Sequence, residues 1–283
     1  MGLPFFEMEV KLAKTLGFCF GVKRALELTE KALQERPCLH MLGALIHNKA
    51  VVERLAQSGL DTVKTLDEVK SGTVVIRAHG VTRDVYEEAA KREIELIDAT
   101  CPFVKKAQDA ASLLVKEGYA VLLVGDKNHA EVRGIVSAAG GPVHVVANID
   151  EIPKLTRATK VGLLFQTTKR PELARLFFDT LLERVQEIRV INTICRATID
   201  RQLAVSELAP QVSAMVIVGD PESANTARLT AIAKETNERT IQVENASQLE
   251  ASFFTGCTTV GLCAGASTPH WLIDEVKSFL AAL

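Results

Sequence analysis

The sequence predicts an α/β protein of three similar units with mostly parallel sheets, set around a pseudo-threefold axis as a trefoil. Three observations lead there. Short apolar strands (VVIRA, AVLLVG, VGLLF, AMVIVG, TTVGLC) alternate with amphipathic helical stretches, the pattern of parallel sheets covered by helices. One stretch recurs along the chain: AVLLVGDKNHAEV from Ala120 resembles AMVIVGDPESANT from Ala214, and MLGALIHNKAV is a shorter third copy. Finally, a cysteine stands 28 positions before the same point of each copy, at Cys19 to His47, Cys101 to His129 and Cys195 to Ser223.

The elements follow in order. In the first unit, residues 1–98, a helix begins after Cys19 and carries Val22, Ala25, Leu26, Thr29, Ala32 and Leu33 on one face. Gly43 then precedes His47 by four positions, and the strand VVIRA runs out to His79. In the second unit, residues 99–192, a helix opens at Pro102, a residue suited to a first helical position, and stops near Gly118. Gly125 precedes His129 by four, with Glu131 beyond it, and VGLLF ends in Gln166 and Thr167. The third unit, residues 193–283, places Gly219 four before Ser223, then Asn225, and TTVGLC leads to Ser267. The boundaries near 98 and 192 carry no Gly/Ser-rich linker, so tight joints are expected.

The 283 residues are 47% apolar and 24% charged with a formal net charge of −2, which describes an ordinary globular chain of two or three units. Balanced charge without a basic run gives no electrostatic reason for nucleic acid. The N-terminal MGLPFFEMEV lacks the basic region and apolar core of a signal peptide, and the apolar runs are too short to cross a bilayer. Six scattered cysteines without a CxxC pair do not read as a disulfide scaffold, so a reducing cytoplasm is expected.

Ligand groups in parallel α/β sheets gather at the carboxyl ends of strands. Three units about one axis would therefore bring Cys19, Cys101 and Cys195 together, ringed by His47, His79, His129, Glu131, Thr167, Ser223, Asn225 and Ser267. A lone cysteine is ordinarily a small buried hydrophobe, the reading given to Cys38, Cys257 and Cys263, which break the register. The other three each precede a predicted helix, and a helix start with basic neighbours favours the thiolate that a metal needs. Three thiolates suit either a zinc site completed by histidine or a cubane iron–sulfur cluster with one iron open. The surrounding donors suit a phosphate or diphosphate, and Glu131, the one carboxylate among them, suits a general acid, with His129 and Thr167 to orient it.

At this point GFCFGVKRA, LIHN, AHGV, DATCPFVKK, the HxEV of His129–Val132, QTT from Gln166, NTIC from Asn192 and AGASTP together resemble the LytB/IspH family, in order and over essentially the whole chain. The resemblance implies a 4Fe–4S cluster held by Cys19, Cys101 and Cys195, with one open iron for the substrate's hydroxyl oxygen. It implies reductive dehydroxylation of 4-hydroxy-3-methylbut-2-enyl diphosphate to isopentenyl and dimethylallyl diphosphate. It further implies His47, His79, Ser223, Asn225 and Ser267 on the diphosphate, and Glu131 as proton source with His129 and Thr167. A ferredoxin or flavodoxin would supply the electrons. Three features depart from the family pattern: Pro221-Glu222 and Ala224 where Lys-Asn and Ser are usual, His-Ala-Glu for His-Pro-Glu, and Arg196 after the third cysteine. The change at Pro221-Glu222 motivates one other reading, a related 4Fe–4S reductase acting on a different allylic or aromatic substrate; a reading of another class is a non-catalytic cluster or zinc protein serving as a redox sensor or interaction module.

Overall fold

A computed structural model describes residues 8–283 of the chain; the opening MGLPFFE, part of the stretch compared with a signal peptide, lies outside the described residues. Three four-stranded sheets form, all of their pairings parallel. The expectation of three α/β units with parallel sheets is thereby met.

The first sheet contains β2 (Leu39–Leu42), β3 (Asp61–Val63), β4 (Thr73–Ile76) and β5 (Glu95–Asp98), in the order β3-β2-β4-β5. Its helices are α1 (Phe20–Glu35), α2 (Lys49–Gln57) and α3 (Arg83–Lys91). The second sheet takes β6 (Ala120–Val124), β7 (Val143–Val146), β8 (Lys160–Phe165) and β9 (Glu187–Val190) in the order β7-β6-β8-β9, with α4 (Pro102–Lys116), α5 (Ala130–Ala139) and α6 (Pro171–Leu182). The third holds β10 (Ala214–Val218), β11 (Thr240–Val243) and β12 (Thr259–Ala264), with α7 (Arg196–Leu208), α8 (Ala224–Thr236) and α9 (His270–Ala281).

Its fourth strand comes from the other end of the chain. β1 (Glu9–Leu12) pairs with β12, Glu9 opposite Thr259, so the order is β1-β12-β10-β11. β1 thus occupies the place that β5 and β9 hold in their sheets, and each of these edge strands runs on to a cysteine and a helix. A division of the sequence at residues 98 and 192 follows the ends of β5 and β9 but leaves β1, by number in the first unit, in the third sheet.

Period-2 alternation explains the cores. In the third sheet Val216, Val218, Val260 and Leu262 face α9 through Leu272, Ile273, Val276 and Leu280. The intervening Met215, Ile217 and Cys263 face Val205, Leu208, Leu229 and Ile232 of α7 and α8. Both faces are covered, which is why these strands read as continuous apolar runs. In the second sheet Val121, Leu123 and Leu164 pack on Ala107, Ala111, Leu114, Val132 and Ile135. By contacts, the described residues to Phe20, with 47–51 and 196–283, form one compact unit; residues 21–46 and 52–195 form the other.

Candidate active site

Each sheet has an equivalent pair of central strands, β2 and β4, β6 and β8, or β10 and β12; in the first two the chain leaves the pair toward opposite edges, and in the third β1 takes the edge beside β12. That is the topological switch point, where open α/β sheets hold ligands. At each such place the main chain pins a cysteine. The amide of Cys101 donates to the carbonyl of Ala78 at 2.9 Å, that of Cys195 to Thr167 at 2.9 Å, and that of Cys19 to Ala266 at 3.0 Å. Ala78, Thr167 and Ala266 each lie two residues beyond the end of β4, β8 and β12. Three cysteines therefore occupy one backbone position of one repeated fold, each immediately before a helix: α1, α4 or α7.

All three are half-buried and none of the six cysteines forms a disulfide. Cys38 is exposed and outside this pattern; Cys263 is buried in the core with its thiol pushed up to about 12, chiefly by burial. The equivalence of the pins also aligns His79, Thr168 and Ser267, the residues that follow them. The sequence register sets Thr167 opposite His79 and Ser267; in the structure Thr168 holds that place and Thr167 matches Ala78 and Ala266. The strand-end pin is the signal, and it has no trace in residue type.

In the compact unit holding residues 52–195, Glu131 is only 2% exposed at the second position of α5. The Thr167 N–H donates to its Oε1 at 2.7 Å and the Thr167 hydroxyl to its Oε2 at 2.8 Å. Burial pushes the carboxyl above the ordinary carboxylate range, while both Thr167 bonds and the charge of Lys169 oppose that rise. His129 caps α5 and its Nδ1 accepts from the Glu131 amide at 3.2 Å, which leaves the neutral ring's proton on Nε2. The His79 ring lies edge-on to it, centroids 5.5 Å apart.

The compact unit holding residues 196–283 repeats the device with different residues. Ser223 caps α8, its hydroxyl accepting from the Thr226 amide at 3.3 Å, so Ser223 and His129 share one position, as do Asn225 and Glu131. Asn225 is 6% exposed, yet among the described residues neither its amide nitrogen nor its amide oxygen has a partner. A buried amide left unpaired costs stability and is unusual, so Asn225 is a candidate ligand contact. The Ser267 hydroxyl donates to the His47 carbonyl at 2.9 Å, joining those two segments. Asn48, one beyond His47, accepts from Val51 and starts α2.

The departing loop bears on charge. Asp220 is buried and its Oδ1 accepts from the Glu222 amide at 2.8 Å, a tight turn that leaves Pro221 and Glu222 exposed. Ala224 occupies the first position of α8 and offers no side-chain donor.

Comparison with known proteins agrees with this geometry. The family model described as LytB protein matches residues 10–281. A 4-hydroxy-3-methylbut-2-enyl diphosphate reductase of Geobacter sulfurreducens is 47% identical over 269 residues, 95% of each chain. One from Trichlorobacter lovleyi is 46% identical over 273 residues, 96% of this chain and 98% of its own. A solved structure of (E)-4-hydroxy-3-methyl-but-2-enyl diphosphate reductase, the terminal enzyme of the non-mevalonate pathway, is 41% identical with a TM-score of 0.73, covering 98% of this chain and 100% of that one. The E-1-hydroxy-2-methyl-but-2-enyl-4-diphosphate reductase of Plasmodium falciparum is 28% identical with a TM-score of 0.88, covering 98% and 88%.

Proposed function

This chain belongs to the LytB family, and from that premise we propose that Cys19, Cys101 and Cys195 hold a 4Fe–4S cluster serving reduction of the diphosphate substrate. The activity is that of its relatives, reduction of 4-hydroxy-3-methylbut-2-enyl diphosphate at the end of the non-mevalonate route to isoprenoid precursors. The observation carrying the cluster is the repeated pin. Three thiols outside any disulfide, each half-buried at a helix start, sit at one equivalent backbone position in three sheets. Thiolates are the donors such a cluster takes, and three of them leave one iron open. When bound, the cluster supplies single electrons and a Lewis-acidic iron.

The remaining groups divide by chemistry. His47, His79, Ser223, Asn225 and Ser267 bind the diphosphate; the unpaired Asn225 amide supports this, since an anion oxygen would take its N–H and relieve the burial. Loss of the hydroxyl group as water needs a proton. Burial shifts Glu131 toward its neutral form, which suits it to supply one, and Thr167 fixes both its oxygens. His129, bonded through Nδ1 to the Glu131 amide, keeps Nε2–H as the next proton along. An electron donor of ferredoxin or flavodoxin type and a cytoplasmic setting complete the reading. No described helix is long and apolar enough to cross a membrane.

A different substrate would find its motive in Pro221-Glu222, but both are exposed, whereas Ser223 and Asn225 are buried. A redox sensor has no use for a buried carboxyl held by two Thr167 bonds. Anaerobic turnover of 4-hydroxy-3-methylbut-2-enyl diphosphate with dithionite and a viologen tests the whole reading. Isoprenyl diphosphate products are expected; protein that carries its cluster and neither binds nor reduces this substrate would defeat the substrate assignment.

A further inference from the structure

Arg201 lies in the middle of α7 and is only 3% exposed. Its Nη1 donates to the Ala197 carbonyl at 2.9 Å and its Nη2 to the Gly17 carbonyl at 2.6 Å, while Nε has no partner among the described residues. Among the described residues no carboxylate pairs with it. An uncompensated guanidinium in a protein interior is costly and asks for an anion. Cys263 feels its charge but is not that anion, because burial keeps the thiol protonated.

What Arg201 grips is informative. Gly17 lies two residues before Cys19, and Ala197 two residues after Cys195. A planar fork with several donors holds two carbonyls in fixed relation, which an ammonium does less well. The half-buried Arg24 of α1 repeats the device, its Nη1 donating at 3.2 Å to the carbonyl of Thr100, the residue before Cys101. In two of three units, then, an arginine five or six positions after one cysteine holds the main chain just ahead of another. In α4 the matching positions are Lys106 and Ala107.

We propose that Arg201 is a positioning residue of the three-cysteine centre, fixing the Cys19 segment to the helix that follows Cys195 and lending the anionic cluster a buried positive charge. This rests on the cluster reading above. Cluster potentials depend on net charge and hydrogen bonding, and outer-shell partners of metal ligands typically govern retention by about 10–100-fold. Removing the charge disfavours the added electron, so the potential should move to more negative values.

The test compares reconstituted wild-type protein, Arg201→Gln and Arg201→Lys by iron and sulfide content, iron loss to a chelator, and midpoint potential in a mediated titration. Arg201→Gln is expected to lose iron about 10–100-fold faster and to titrate at a more negative potential. Arg201→Lys is expected to keep the wild-type potential and still lose iron faster, since it keeps the charge without the fork. Wild-type protein that takes up no iron overturns the cluster reading, and this one with it. Loaded wild-type protein matched by Arg201→Gln in both iron retention and potential overturns the role of Arg201 alone. Should Arg201→Gln fail to fold, Arg201→Lys decides: wild-type iron retention in that variant overturns the proposal, and faster loss at an unchanged potential upholds it.

Discussion

Glu131 is a buried carboxyl, and both of its oxygens accept hydrogen bonds from Thr167. Its replacement by Gln should lower turnover by about 10²–10⁴-fold, the usual contribution of a general acid, and leave iron content untouched. A pH series adds an independent check. Burial raises the folded pKa above the unfolded value of about 4.3, so the folded form binds its proton more tightly. Stability from that proton is present below the unfolded value and is lost as pH rises through the raised folded one. The apoprotein's melting temperature should fall across that window relative to Glu131→Gln, whose side chain does not titrate; parallel curves would argue against the raised pKa. Asn225 should show the opposite division between stability and binding. Its amide is buried without partners, so Asn225→Ala should change stability by less than about 1 kcal/mol, the relieved polar group offsetting lost packing. Calorimetric affinity for the diphosphate should nevertheless drop about tenfold or more, a loss of about 1.4 kcal/mol or greater. Glu222→Asn, at an exposed position, should leave that affinity unchanged.

Among the elements, the close approach of α8 to the tips of β10 and β12 explains two glycines. A Cβ on Gly219 would stand 2.8 Å from the hydroxyls of Thr226 and Thr268, and one on Gly265 would collide with the Thr226 hydroxyl. Gly265→Ala should therefore cost about 1–3 kcal/mol by overpacking, read from denaturant melts. In a Thr226→Ala background most of that cost should disappear, and additivity of the two changes would refute the contact. Elements of this kind were unevenly legible. The central strands β4, β6, β8, β10 and β12 are announced by apolar runs, because helices cover both faces. The edge strands β1 (EVKL), β3 (DTV), β5 (ELID) and β9 (EIRV) are three or four residues long and carry charge, so no periodicity rises above their loops. β1 leaves the least trace in sequence, since its partner β12 lies about 250 positions away and no local rule reaches that far. The helix after Cys19, by contrast, buries Val22, Ala25, Leu26, Thr29 and Ala32, five of the six residues that its spacing assigns to one face.

Across the whole chain, one edge strand, one cysteine and one helix recur three times, and the spacing of 28 carries the cysteine's share of that repeat in the sequence. The second and third units keep the length between the cysteine and the cap of α5 or α8 even where the residues change, His129 becoming Ser223 and Glu131 becoming Asn225, while in the first unit the residue starting α2 is Asn48, one position later. The tips of the last central strands kept less: Thr167 and Thr168 are neighbours of one type, and only the Cys195 amide bond says which of them matches His79 and Ser267. The recurrence makes a prediction about all six cysteines at once. Anaerobically purified protein should be brown, hold about four irons per chain and give a paramagnetic signal on reduction. Serine at Cys19, Cys101 or Cys195 should strip most of that iron, and each should do so equally, because each thiol starts from the same backbone position. Cys38→Ser should keep full iron, since that thiol is exposed and lies outside the repeat, and Cys263→Ser should affect stability alone, since that thiol faces α7 and α8 in the core. Stoichiometric zinc in place of iron would end the cluster assignment. Iron loss from Cys257→Ser equal to that from Cys195→Ser would instead mean that the repeated pin does not select the ligands, and the equivalence of the three units would describe the fold without its chemistry.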